Sequence, residues 1–361
     1  MIQGNDALGG KGAPSQCAKP EAPTEKDVSH PMSEQRKQLE GIHHVTAVAG
    51  DPQENVDFYV GILGLRLVKR SVNQDDPKTY HLFYADAVGT PGTDLTFFTW
   101  PGARHGRTGA GQAVTVSLAV PPDALSYWTN RFAEHGIPFE GPRRRFDEDV
   151  LAFSDVHGLA VELVAAPDAL ARRWQYWADG PVPADYAIRG IHGVTVQERA
   201  QTPTMPFLTA PLGFHLTNET DQRKRFTVGT GGSGAHLDVI VDPTAPRGQV
   251  AVGTIHHVAW RTPDDDQQRQ WWQEIQGLGV PISEIIDRFW FHSIYFREPG
   301  GVLFEIATDG PGFSVDETTA DLGTRLVLPP WLEPQRTEIE RGLPGIDLSR
   351  ALREVRTGAR A

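Results

Sequence analysis

The 361-residue chain carries 34 Lys and Arg against 46 Asp and Glu, a net charge of −12 at pH 7, with 39% hydrophobic residues that include 9 Trp and 16 Phe. That apolar content supports a packed core and excludes a wholly disordered chain, and the length suggests about two domains. The acidic balance, with no basic run beyond Arg143-Arg144-Arg145, argues against nucleic acid or an anionic membrane surface as partner, and no stretch approaches the ~18 apolar residues of a membrane helix.

Residues 1–40 hold no aromatic residue and no apolar run, so they are expected to be a disordered tail, with neither a signal peptide nor an anchor. Met32 opens a run that would also serve as a start. The only cysteine, Cys17, lies in this tail. It permits no internal disulfide and no cysteine-based zinc site, fits a reducing cytoplasm, and leaves His, Asp and Glu as the metal ligands available.

From residue 41 the chain repeats itself. Gly41-Ile42-His43-His44-Val45-Thr46 recurs as Gly190-Ile191-His192-Gly193-Val194-Thr195, and at the same offset Phe58 meets Phe207, Leu63-Gly64 meets Leu212-Gly213, and Leu67 meets Leu216. A second repeat aligns Trp128 with Trp271, Gly136-Ile137-Pro138 with Gly279-Val280-Pro281, Arg145-Phe146 with Arg288-Phe289, and Glu162 with Glu305. The chain therefore reads as four modules, the first like the third and the second like the fourth.

Each module opens with an alternating strand, as in residues 114–120, and continues into a helix. In module 1 the helix carries Asn55, Phe58, Tyr59 and Ile62 and stops at Gly64. In module 2 it starts at Pro122-Asp123, carries Leu125, Trp128 and Phe132, and ends at Gly136. Three strands follow, in module 4 over about 282–287, 291–297 and 302–308, with a hairpin turn at Glu298-Pro299-Gly300-Gly301. The expected fold is α+β: four βαβββ modules in two tandem domains that form cupped half-barrels. Residues 41–170 would be an N-terminal domain (modules 1 and 2), 171–189 a linker, 190–312 a C-terminal domain (modules 3 and 4), and 313–361 an extension. In that extension Leu348, Leu352 and Val355 mark a helix that packs on the body or on a partner subunit.

His43-His44 and His256-His257 stand at the opening strands of modules 1 and 4, and Glu305 sits among apolar residues in the last strand of module 4. Two imidazoles and a carboxylate make the facial triad of non-haem iron sites, with open positions for substrate and O2. Neighbours on a strand point to opposite faces, so one His of each pair is expected to enter the cleft, and alternation alone does not choose which. The repeat says more. Module 3 has Gly193 in place of His44 but keeps His192 in place of His43, and module 2 keeps Glu162 but has Val114 or Thr115 in place of His257. Modules 2 and 3 thus lack a complete triad, while modules 1 and 4 jointly hold one and are expected to share a cleft. Glu162 reads as structural or vestigial. His81, His105, His135, His157 and His215 are assigned to loops or element ends, with Tyr80-His81 the best exception. Trp260, Phe289, Trp290 and Phe291 lie nearby as pocket walls or as core.

These stretches, with Gly89-Thr90-Pro91-Gly92, Ile255-His256-His257 and Ser293–Glu305, resemble the vicinal oxygen chelate superfamily of glyoxalases, bleomycin-resistance proteins and extradiol dioxygenases. More narrowly they resemble the hydroquinone-type ring-cleaving dioxygenases, over about residues 41–330. The resemblance implies Fe(II), with Mn(II) accepted by the same triad, held by His44, His257 and Glu305. It also implies roles around the metal for His43, Thr46, His256, Arg288 and Tyr295. On simple pleat logic His43 and His256 point away from the cleft, unless hydrogen bonds or a local bulge bring them in. The implied reaction is ring cleavage of a hydroquinone or catechol by O2, in a cytoplasmic enzyme of a group where homo-oligomers are common. Two other functions belong to the same superfamily: a glyoxalase-like isomerase or transferase with four metal ligands, and a metal-free binding protein of the bleomycin-resistance type.

Overall fold

Gly41 and Gly190 open the two copies of the Gly-Ile-His motif, and both adopt a left-handed backbone, with φ of 105° and 104°. A Cβ on Gly41 would lie 2.6 Å from Gly234 O, and one on Gly190 would lie 2.9 Å from Gly92 O. The contacts are reciprocal: Ile42 N donates to Gly234 O and Ile191 N to Gly92 O, while Gly92 N donates to His43 O and Gly234 N to His192 O. One backbone clasp, made twice, joins modules 1 and 3, and only glycine tolerates both the conformation and the approach.

The computed structural model describes residues 37–201 and 203–358. Most of the expected tail, with Cys17 and Met32, lies outside them. Its last residues are part of the folded body, since Leu39 is buried and Glu40 N donates to Arg261 O. Module 1 comprises β1 (Ile42–Ala49), α1 (Pro52–Val56), β2 (Arg66–Asn73), β3 (Asp76–Ala85) and β4 (Asp94–Thr99). Module 2 comprises β5 (Gln112–Val120), α2 (Leu125–Glu134), β6 (Phe139–Arg145), β7 (Glu148–Ser154) and β8 (Ala160–Ala165). Module 3 comprises β9 (Ile191–Glu198), α3 (Thr204–Thr209), β10 (His215–Glu219), β11 (Arg223–Thr227) and β12 (His236–Val241). Module 4 comprises β13 (Thr254–Thr262), α4 (Asp265–Gly277), β14 (Ile286–Asp287), β15 (Phe291–Arg297) and β16 (Leu303–Pro311). This is the expected α+β grammar.

Local chemistry explains the element ends. Asp51 caps α1 by accepting from Gln53 N and Glu54 N, and Asp264 caps α4 by accepting from Gln267 N. After α1 the helix widens into a π-helical turn over Asp57–Ile62. Against that turn packs α6 (Leu348–Gly358), so closely that a Cβ on Gly61 would lie 2.9 Å from Ala351 O. The C-terminal helix expected from its apolar spacing therefore docks on the body. The strand expected over 282–287 is reduced to β14. The Ser283 hydroxyl accepts from Tyr295 N and so replaces a ladder bond, leaving only an isolated bridge between Ile282 and Phe296.

The strands form two eight-stranded sheets. Their orders are β14-β15-β16-β13-β1-β4-β3-β2 and β10-β11-β12-β9-β5-β8-β7-β6. Modules 4 and 1 thus share one sheet, and modules 3 and 2 the other. In each, the opening strands of two modules meet antiparallel at the centre. The helices and outward strand faces close over one apolar core that includes Tyr59, Trp128, Phe132, Trp260 and Trp271. Burial of each such side chain contributes roughly 1.5–3 kcal/mol.

The central pairs are bulged. Opposite Trp260 and Ala259, which are consecutive, stand Ile42 and His44, so His43 is the extra residue. Opposite Thr46 and Ala47 stand His257 and Ile255, so His256 is extra. The other sheet has the same defects at His192 and Val114. A bulge inserts one residue and breaks the alternation of faces.

Candidate metal centre

Ala259 lies between His44 on β1 and Glu305 on β16 in the register of the first sheet, and His257 precedes it by two residues on the same face. The small side chain of Ala259 leaves room for three larger ones to converge above it. His44 Nε2 and His257 Nε2 are 3.3 Å apart, and Glu305 Oε2 lies 3.3 Å from the first and 2.9 Å from the second. Glu305 is fully buried, and its Oε1 accepts a 2.5 Å hydrogen bond from Ser293 Oγ. Its Oε2, facing both imidazole nitrogens, accepts no hydrogen bond. A buried carboxylate oxygen without a hydrogen bond is costly, and two nitrogen lone pairs beside it make a donor set suited to a divalent cation. The two imidazoles hold the Glu305 carboxyl well below its usual range despite burial.

The bulges supply the exception to simple pleat logic that was allowed for His43 and His256. His43 Nδ1 lies 2.9 Å from His44 Nδ1, and His256 Nδ1 lies 2.8 Å from His257 Nδ1. Burial, helped by the neighbouring imidazole, pushes His43 and His256 down to about 3. Both are therefore neutral and can accept at Nδ1. That holds the Nδ1–H tautomer of His44 and His257, with Nε2 free to face the Glu305 carboxylate.

The other expected residues also converge. Thr46 stands opposite His257, and its Oγ1 lies 2.7 Å from Thr96 Oγ1. Tyr295 packs edge-on against His257 at 5.7 Å and accepts a 3.3 Å hydrogen bond from Arg288 Nε. Burial, with the Glu305 charge nearby, pushes its hydroxyl above the usual tyrosine range. Arg288 is held by both carboxylate oxygens of Asp75, at 3.1 and 3.0 Å. Its repeat partner Arg145 instead pairs with Glu162 at 2.7 Å. The two arginines are thus used differently, and Glu162 is held by Arg145 and by a 2.8 Å hydrogen bond from Ser117 Oγ.

A pocket opens over these groups, with Phe83, Phe98, Trp290 and Phe291 as aromatic walls. Trp260 is not among them; it is core, packed on Phe214 and Phe304. Phe289 packs outside on Trp290 and Trp331. His81, assigned to a loop, lies within β3. Its ring packs at a tilt against Phe83 and Phe98, and its Nε2 lies 2.9 Å from Thr96 Oγ1, so it extends the Thr46–Thr96 pair into the pocket wall. The apolar alternation of Tyr80-His81-Leu82-Phe83 was the available signal.

The second sheet also departs from expectation. At the repeat-equivalent positions it has no triad, yet Glu148, His192 and His236 bring donor atoms within 4.8 Å of one another. No helix among the described residues is long and apolar enough to cross a membrane.

The family model of the Glyoxalase/Bleomycin resistance protein/Dioxygenase superfamily matches residues 41–163 and again 190–306. The chain belongs to this superfamily. Within it, the chain is 43% identical over 307 residues to the Bacillus subtilis protein named "Putative ring-cleaving dioxygenase MhqO", covering 85% of this chain and 96% of that protein. It is 32% identical over 316 residues to a chlorohydroquinone/hydroquinone 1,2-dioxygenase of Sphingobium indicum, covering 86% and 98%. A crystal structure described as a "putative dioxygenase" from Bacillus subtilis superposes with a TM-score of 0.80 at 41% identity, covering 86% of this chain and 99% of that one. The tandem glyoxalase-type architecture is thus shared over nearly all of the folded chain.

Proposed function

We propose that this chain is a non-haem Fe(II)-dependent, extradiol-type ring-cleaving dioxygenase acting on a hydroquinone or catechol, with His44, His257 and Glu305 as the metal ligands. The observation that carries this reading is the Glu305 Oε2 atom. It is buried, accepts no hydrogen bond and faces two imidazole nitrogens beneath an aromatic-walled pocket. The relatives' names support the reaction class. When bound, iron supplies the Lewis acidity and redox chemistry that ring cleavage by O2 requires.

The protein's own groups do the rest. Phe83, Phe98, Trp290 and Phe291 receive the ring and exclude water from the centre. Tyr295, kept protonated by burial, donates its O–H to an oxygen of the bound diol. Arg288, anchored by Asp75, orients that hydroxyl and adds positive charge where the diol carries negative charge. The Thr46–Thr96–His81 chain holds a proton at the pocket wall. His44, His257 and Glu305 would hold the metal as a three-donor set, whereas a four-ligand isomerase centre would need a further donor. The single cysteine, Cys17, fits a cytoplasmic setting.

Anaerobic metal analysis followed by O2 uptake on a panel of catechols and hydroquinones tests the proposal. Stoichiometric iron, O2 consumption and a ring-opened chromophore are expected. Bound zinc or nickel without O2 uptake would overturn it in favour of an isomerase or transferase. Protein that binds no metal and turns over no diol would point to a binding protein.

A further inference from the structure

We propose that Glu148, His192 and His236 form a second divalent-metal site, of the zinc class, in the sheet built from modules 2 and 3. The three residues come from strands that are not all neighbours. His192 is the bulged residue of β9 and His236 opens the adjacent β12, but Glu148 begins β7, three strands from β9. The curl of the half-barrel brings β7 across to meet them.

The register explains how a donor set arises where the first sheet has none. Glu148 occupies the repeat position of Phe291, which in the first sheet packs its ring on His43. His192 occupies the position of His43, and His236 that of Asp94, since His44 pairs with Asp94 and Gly193 with His236. The aromatic–imidazole contact of one sheet is a carboxylate–imidazole contact in the other.

The hydrogen bonding fixes which nitrogen of His192 faces the cluster. Ser233 Oγ donates its one proton to Asp168 Oδ1 at 2.7 Å and lies 2.9 Å from His192 Nδ1, so Nδ1 carries the hydrogen and Ser233 accepts it. With its hydrogen on Nδ1, His192 presents a bare Nε2 to Glu148 Oε1 at 2.9 Å, with no hydrogen bond between them and only 1% exposure. The His236 ring lies alongside, with centroids 4.7 Å apart, and its Nδ1 is 3.2 Å from Thr227 Oγ1, which leaves Nε2 for the cluster. The other carboxylate oxygen of Glu148 accepts from Arg225 Nη1 at 2.6 Å, which orients Oε1 toward the histidines. A carboxylate–serine–histidine chain and an arginine-held carboxylate are outer-shell arrangements typical of metal ligands. Two imidazoles and one carboxylate suit Zn2+, with water as fourth ligand.

An ion at this place pins the curl of the second sheet, tying β7 of module 2 to β9 and β12 of module 3, away from the His44 centre. The test is a metal count on the full chain, stripped with chelator and titrated with Zn2+ or Co2+. The unsubstituted protein is expected to bind two equivalents. His257→Ala is expected to keep one, and His236→Ala to lose one while retaining iron-dependent O2 uptake. Zn2+ is expected to raise the Tm of His257→Ala but not that of the double variant His257→Ala/Glu148→Gln. One equivalent in the unsubstituted protein, or none in His257→Ala, would mean a protonated His192–Glu148 ion pair and overturn the proposal. The count on His257→Ala decides the question even if His236→Ala does not fold. It is also independent of whether the first centre cleaves rings.

Discussion

His43 Nδ1 lies 2.9 Å from His44 Nδ1, and His43 can take this position because it is the extra residue of a bulge in β1. The contact lets one proton fix the tautomer of a proposed ligand. His43→Leu and His256→Leu are each expected to weaken metal affinity about 10- to 100-fold while leaving the fold intact. Competition with a chromophoric chelator measures this. Unchanged affinity in both variants would remove the tautomer-fixing role.

Tyr295 keeps its proton because burial and the Glu305 charge oppose ionisation, raising its hydroxyl above the ordinary tyrosine value. Tyr295→Phe is expected to lower kcat about 100-fold with full metal retention and little change in KM. The kcat/KM profile should show no Tyr295 limb below pH 10. A basic limb near pH 8 that disappears in Tyr295→Phe would contradict the donor role.

Glu198 is buried beside Glu298, and burial with that like charge pushes it up to about 8. Its folded pKa exceeds the unfolded carboxylate value, so between about pH 4.5 and 8 the folded state binds more protons than the unfolded one. Stability from this group is therefore present at low pH and declines as pH rises through that window. Glu198→Gln is expected to have little effect at pH 5 and to stabilise by about 4 kcal/mol more at pH 8.5, read from urea unfolding at both values. Equal effects at the two pH values would refute the assignment.

Lys69 is fully buried, 2.7 Å from Asp316 and 2.6 Å from Glu317, with its ammonium 5.4 Å from the centre of the Trp290 ring. It clips the C-terminal extension against the back of the pocket wall. Lys69→Met leaves buried Glu317 without this partner and is expected to cost about 3 kcal/mol. It should also raise KM more than it lowers kcat, because Trp290 loses its support. Adding Glu317→Gln is expected to recover part of the stability. A KM that does not move would separate the clip from the pocket.

Much of this protein is legible along the chain. The two interleaved repeats set four modules, and the occupancy of equivalent positions by His44, Gly193, Glu305 and Glu162 pointed to one shared cleft between modules 1 and 4. Such patterns are local: side-chain alternation and turn chemistry recur wherever a module recurs. Three things were decided only by the tertiary structure. One-residue bulges, which no alternation pattern encodes, turned His43 and His256 back beside their neighbours, and the pairing of β3 with β4 carried His81 into the pocket wall. The curl of the second sheet brought Glu148 to His192 and His236, although none of the three stands at the repeat position of His44, His257 or Glu305. Strand pairing sets register from sequence-local preference, but the approach of non-adjacent strands depends on the accumulated twist and coiling of the whole sheet, which no single segment contains.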